Sequence, residues 1–302
     1  MANEILPSSI GDLVAGEVLA AEYLYLLADR DNSVLGHPAL LKASAPSGVS
    51  NIVRVPHIGL GGYNLLAART PGSEVTNTAL SDGGTDVTIA PYSKVYELDD
   101  LANFMLDGRV NASMFAMDAA ISVGQTLISL IANIGDGFTA DEGSGDLTWE
   151  TLIAAKTALG VAAADGSAGL MALIHPYQWG DLERDSLSMG VTPAPLLAGS
   201  LNAGLGAYKG RYFGIDVYVS KAVPLDTGNY KGCLISKGAI CWADTSYPTI
   251  VAPGANIMSI GNAIFEMERK GTFASTKLIT HTQMGVAIGI NSAGVTIVSA
   301  ST

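Results

Sequence analysis

The sequence predicts an α+β fold, and three features carry that expectation. Residues 111–134 place Met114, Met117, Ile121, Ile128 and Ile131 at three-, four- and seven-residue spacing, on one face of a helix. Residues 213–219 and 285–298 alternate apolar and polar positions with period 2, the pattern of strands. Leu170–Ile174 is a continuous apolar run, expected as a buried strand, and Pro176 then stands where a proline opens a helix.

Taken in order, residues 10–29 read as a helix. Ser9 to Asp12 gives a capping-box-like start, and Leu13, Val14, Val18, Leu24 and Leu27 follow. Residues 31–50 are punctuated by Pro, Gly and Ser and are expected to form an extended arm. A strand is expected over 52–57 and a return strand over 86–97, where Val87 and Ile89 alternate with polar neighbours and Pro91 marks an edge or a bulge. The polar excursion between them is nearly 30 residues long, and loops of that length usually engage something outside the domain. A short helix is expected from Asp99 or Asp100 to Gly108. The helix over 111–134, at 24 residues, would be about 36 Å long. The acidic, Gly-rich stretch 136–146 is expected as a linker at a domain boundary. Residues 148–159 read as a helix with Thr148 near its N-cap. Phe213, Ile215, Val217 and Val219 predict a half-buried strand, and further strands are expected near 262–269 and 276–283. The end of the chain reads as a hairpin, with Val286, Ile288 and Ile290 facing Val295 and Ile297 across Asn291 to Gly294.

Composition narrows the function. Charged residues make up 15% of the 302, against roughly 25% in an ordinary soluble domain, while 48% are apolar. That excludes intrinsic disorder, and a net charge of −12 argues against a basic grip on nucleic acid. The uncharged runs 186–208, 245–265 and 278–302 are long enough to span a bilayer but are broken by Gly, Pro, Asn, Thr and Ser. No membrane partner is expected. The missing charge points instead to surface covered by protein partners, since a standard interface takes roughly 20–30 residues a side. The acids are also uneven, with net −13 over residues 1–150 and +1 over 151–302.

No catalytic, cofactor-binding or metal-binding residues are expected, and the chain does not read as an enzyme. Asp226-Thr227-Gly228 is the aspartic-peptidase tripeptide, but that chemistry needs two carboxylates sharing a proton and no second copy occurs. Gly59, Gly61 and Gly62 lack the helix and later acid of a nucleotide fingerprint. His37, His57, His175 and His281 are scattered, and Asp136, Asp141, Glu142 and Asp146 do not match a calcium loop. Cys233 and Cys241 are too few for a disulfide framework and have no zinc spacing.

Four segments together carry a resemblance. They are GSEVTNTALSDGGTDVTIAPYSKVYELDDL (72–101), LMALIHPYQWGDLERD (170–185), GRYFGIDVYVSKAVP (210–224) and AIFEMERKGTFASTKLITHTQMGVAIGINSAGVTIV (263–298). Their order resembles the major capsid protein of tailed bacteriophages, the Hong Kong 97 fold, also seen in encapsulins. The resemblance implies an N-terminal arm over 1–50 and an extended β-hairpin loop over 51–98. It implies a spine helix and linker of a peripheral domain over 99–145, an axial domain over 146–260 and closing peripheral strands over 261–302. The implied function is self-assembly, through pentamers and hexamers, into an icosahedral head around double-stranded DNA, with an encapsulin-like compartment shell as the alternative. Implied partners are a separate scaffolding protein, a portal and possible decoration proteins; the implied location is the virion, assembled in the bacterial host cytoplasm.

Two departures refine this. Some members of the family crosslink a loop lysine to a neighbour's asparagine, yet residues 43–93 contain no lysine, so no crosslink is expected at the loop tip. No long charged helical segment precedes the arm, so assembly control is expected from a separate scaffold. The acidic half suits an inner wall that repels DNA phosphates, or acids that pair with neighbouring cations.

Overall fold

The structure is a computed structural model that describes residues 34–45, 51–56, 84–99, 112–160, 169–188, 207–245, 256–260, 263–270 and 275–300. In chain order its strands begin with β1 (Leu41–Ala45), β2 (Ile52–Pro56), β3 (Gly84–Thr88) and β4 (Ala90–Asp99), followed by helix α1 (Ala112–Gly135) and β5 (Asp141–Glu142). Helix α2 (Trp149–Ala158), β6 (Leu170–Ile174) and helix α3 (Pro176–Ser188) come next. The remainder is β7 (Ala207–Tyr212), β8 (Ile215–Val219), β9 (Leu225–Asp226), β10 (Asn229–Ile235), β11 (Ile240–Thr245), β12 (Asn256–Ile260), β13 (Ala263–Lys270), β14 (Ser275–Ile288) and β15 (Gly294–Ala300).

Period-2 side-chain alternation explains how these strands stack into layers. In β6, Leu170, Ala172 and Ile174 face a core shared with Leu152, Trp179 and Leu182 of α2 and α3. Met171 and Leu173, between them, face the opposite way into a core shared with Ile128 and Ile131 of α1. Both faces are covered, so all five residues are buried and the run reads as uninterrupted apolar sequence. β6 pairs in parallel with β8 and antiparallel with β10, at the centre of a seven-stranded sheet ordered β5-β15-β10-β6-β8-β7, with β9 on β10.

The second, six-stranded sheet runs β1-β11-β14-β13-β12, with β4 on β14. Its Ile240, Trp242 and Met284 turn toward α1, while Cys241 and Ala243 turn outward under the ribbon formed by β2 and β3. The ribbon seats Val53, Val55, Val87 and Ile89 on that outer face. It approaches so closely that a Cβ at Gly285 would lie 2.1 Å from the Thr88 carbonyl oxygen, which only glycine tolerates. The layers are therefore ribbon, six-stranded sheet, α1, seven-stranded sheet, then α2 with α3. Helix α1 packs between the two sheets, with Val123, Leu127, Ile128, Ile131 and Ala132 of the uncharged stretch 119–135 in the core.

Two connections tie the sheets together at one place. β10 passes to β11 through Ser236–Ala239, and β14 passes to β15 through 289–293, each chain changing sheet. The connections bond to one another: Gly289 N–H donates to Ala239 O at 2.8 Å, Ile290 N–H to Gly238 O at 2.8 Å and Ser236 N–H to Ala293 O at 2.8 Å. The closing hairpin expected from residues 286–297 is thus corrected, because β14 pairs with β11 and β15 with β10. Alternation looks the same in both arrangements; only the crossing at 289–293 distinguishes them.

Other expectations meet the structure as follows. Thr148 is the N-cap of α2, its side chain accepting from Thr151 N–H at 3.2 Å. Pro176 is the first residue of α3, and Pro91 lies in β4, which among the described residues pairs with β14 alone. β8 starts at Ile215 and is buried on both faces rather than half-buried, because Tyr218 packs against Tyr208 and the His37 edge. Phe213 is not in that strand; it sits at φ 53° in the turn. Within the expected arm, 34–45 are built into the body, with Val34 and Ala39 fully buried and β1 running parallel to β11. The helices expected over 10–29 and 99–108, His57 and the Gly59–Gly62 stretch lie outside the described residues, apart from Asp99, the last residue of β4.

Candidate assembly surface

Among the described residues, the side chains singled out by chemistry do not come together into a reactive site. Asp226-Thr227-Gly228 is the turn between β9 and β10, with Thr227 at φ 49° and Gly228 at φ 82°. The Lys231 ammonium, 3.2 Å away, and then the Thr227 hydroxyl hold the Asp226 carboxyl below its ordinary range. Lys231 also reaches Asp136 at 2.9 Å, so it staples the end of α1 to β10. Asp146 lies 3.9 Å from Arg184, and Asp141 and Glu142 form the short β5. Among the described residues no three His, Cys, Asp or Glu side chains group to hold a metal ion. Nor, among them, is any helix long and apolar enough to cross a membrane.

The histidines do structural work. His37 accepts from Ala39 N–H at Nδ1 and bonds Asp216 through Nε2 at 3.2 Å, fixing residues 34–40 to β8. His281 contacts Ser93 and Glu266 across the six-stranded sheet. His175 stacks on Tyr230 with ring centroids 3.9 Å apart, and its pKa falls through desolvation and then the nearby Lys221. Burial pushes the Cys233 thiol up to about 12, so it is inert, and Cys241 is likewise buried.

What the geometry does offer is outer surface. Where β4 meets α1, Lys94 donates to Asp118 at 2.8 Å and to Ser122 at 2.5 Å, and the Tyr96 hydroxyl donates to the same carboxylate. Those two donors, Lys94 first, hold the Asp118 carboxyl below its ordinary value. Beside them a groove of about 190 Å³ opens between α1 and the sheet, over Thr126, Thr280 and Thr282.

No protein-family model matches the chain, and no curated protein matches it. Solved structures do. The head of Helicobacter pylori bacteriophage KHP40 matches with a TM-score of 0.57 at 13% identity, over 87% of this chain and 87% of that one. The capsid of Ralstonia phage GP4 matches with a TM-score of 0.57 at 10% identity, over 90% and 92%. The chain has the capsid fold. The holo-SrpI encapsulin of Synechococcus elongatus PCC 7942 shares it, with a TM-score of 0.53 at 13% identity over 85% and 84%.

Among the described residues the exposed large apolar side chains are Ile52, Val95, Ile153, Tyr177, Leu187, Phe213 and Leu225, and four of them lie toward the two ends of the seven-stranded sheet. Phe213, at the turn between β7 and β8, is 58% exposed, and Ile153 of α2 is 42% exposed. At the opposite end of the same sheet, Tyr177 is 64% and Leu225 57% exposed. Composition predicted covered surface without locating it, because an exposed phenylalanine and a core phenylalanine are the same letter. The one usable signal was Phe213-Gly214 between two alternating runs, at a position where hairpins ordinarily carry Asn-Gly.

Proposed function

We propose that this chain is the major capsid protein of a tailed double-stranded DNA bacteriophage, assembling through pentamers and hexamers into the icosahedral head that encloses the genome. The observation that carries the reading is the fold match to two phage heads, spanning at least 87% of every chain compared. The charge deficit supports it independently, since a subunit surrounded by copies needs fewer solvating charges. The protein is then structural and not an enzyme. It acts in the virion after assembly in the bacterial cytoplasm, with scaffolding, portal and possible decoration proteins as partners.

In this reading residues 1–50 are the arm, 51–98 the extended loop, 99–145 the spine and linker, 146–260 the axial domain and 261–302 the closing peripheral strands. The sheets cross that division: β11 and β12 lie in the six-stranded sheet, and β5 and β15 in the seven-stranded one. The encapsulin match supports a second reading, a bacterial compartment shell. Electron microscopy of the expressed protein tests both. Uniform icosahedral particles are expected, and small discrete dimers would overturn the shell reading. Co-expression with a phage packaging apparatus separates the two: DNA-filled heads are expected, and particles that never fill would favour the compartment.

A further inference from the structure

The turn joining β7 to β8 holds a local conflict. Tyr212 pairs with Ile215, so only Phe213 and Gly214 form the loop, and both have positive φ, 53° and 82°. That is the geometry of a type I′ turn, in which Asn-Gly is relaxed and a phenylalanine is strained. Burial does not compensate, since the ring touches Trp149 on one side, with centroids 5.7 Å apart, and leaves most of its surface to solvent. The turn is nevertheless held rigidly, because Lys156 of α2 donates to the Phe213 carbonyl oxygen at 2.7 Å. Ile153, one helical turn before Lys156 on the same helix, is also exposed, and Arg211, exposed and paired with Asp216, lies two residues before Phe213.

The far end of the same sheet carries a matching feature. Parallel strands β6 and β8 run from the Phe213 end to an end where His175, Tyr177 and Tyr230 form a three-ring stack. Leu225 lies exposed on β9, whose pairing brings it beside Tyr230, and the exposed Asp226 adjoins it. One end thus offers a fixed aromatic knob and the other an aromatic platform. The charges beside them, Arg211 and Asp226, are held by Asp216 and Lys231 of their own chain, which leaves the contact to the apolar rings. Two different patches at opposite ends of one subunit make a head-to-tail contact, which closes into a ring when each step rotates.

We propose that Phe213 is an interface anchor that docks on the Tyr177–Tyr230–Leu225 end of a second copy of this chain, so that its strain is retained for assembly and not for folding. The inference rests on the shell reading. It accounts for an exposed aromatic in a left-handed turn, for the lysine that fixes the turn, and for the exposed ring stack opposite.

The test compares wild type with Phe213→Asn, Phe213→Gly, Phe213→Tyr and Tyr177→Ser, measuring assembly by sedimentation and electron microscopy and stability by thermal melting of dissociated chains. Asn and Gly relax the turn, so melting temperature is expected to hold or rise while the concentration for half-assembly rises about tenfold or more. Phe213→Tyr is expected to keep assembly, and Tyr177→Ser to reproduce the assembly loss. Assembly of Phe213→Asn at wild-type concentrations, or an assembly loss that tracks a lowered melting temperature, would overturn the anchor. A wild-type chain that stays monomeric even with its scaffolding protein co-expressed would overturn the shell reading itself.

Discussion

At the scale of single residues, the fold depends on polar groups that are buried but satisfied. Gln178 is fully buried, yet its Oε1 accepts from His175 N–H at 2.8 Å and its Nε2 donates to Tyr230 O at 3.2 Å and Ile297 O at 3.3 Å. It thereby joins α3, β10 and β15 in one place. Gln178→Leu keeps the volume and strands all three backbone groups, so a loss of about 2–4 kcal/mol is expected in urea unfolding. Asp118 makes a pH-dependent contribution of the opposite accessibility, on the surface. Its pKa in the folded chain lies below the ordinary 3.8 because Lys94 and Tyr96 donate to it. A lowered acid pKa adds stability above the unfolded value and loses it as pH falls through the folded one, so the β4–α1 contact weakens only below about pH 4. In an NMR titration, Lys94→Ala is expected to raise the Asp118 midpoint toward 3.8; an unmoved midpoint would show that the bond does not govern it.

At the scale of elements, what the sequence disclosed depended on whether one local pattern had one meaning. Helix α1 was legible because 24 residues of helical spacing admit no strand reading, and Pro176 and Thr148 mark helix starts by chemistry that acts within a turn. β6 was legible because a run buried on both faces must be apolar throughout. The sheet exchange at 236–239 and 289–293 was not, because alternation records which face is buried and not which neighbour supplies the hydrogen bonds. The assembly surface was less legible still. Two turns depart from local rules, Phe213-Gly214 and Thr227-Gly228, and the meaning of the first needs the ring's exposure, which a sequence does not contain. The ribbon gives the sharpest element-level test. Gly285→Val drives a side chain into the Thr88 carbonyl, so β2 and β3 must lift from β14, with an expected loss of about 3 kcal/mol in guanidinium unfolding. Protease cleavage near 51–56 should rise with it, whereas an unchanged cleavage rate would mean that the ribbon is anchored elsewhere.

At the scale of the whole molecule, the shortage of charge has two separate sources that a bulk composition cannot distinguish. Part of it is internal, because α1 is packed between two sheets and Val123, Leu127, Ile128, Ile131 and Ala132 of its uncharged stretch are core. The rest belongs to the surface and bears on what holds copies together. The chain has 16 cations for 28 acids. At least seven of those cations, Lys42, Arg54, Lys94, Arg184, Arg211, Lys231 and Lys277, already face an acid of their own chain. That leaves at most nine cations to pair across subunits, and apolar contacts of the Phe213 kind compete with such pairs as the main cohesive force. Salt separates the two. At about 1 M the screening length falls to about 3 Å, which loosens exposed ion pairs, while apolar contacts persist. Particles of this protein are therefore expected to keep their sedimentation coefficient in 1 M sodium chloride and to come apart in urea. Dissociation by sodium chloride alone would assign the cohesion to charge, and the acidic first half would then be an interface rather than a wall facing DNA.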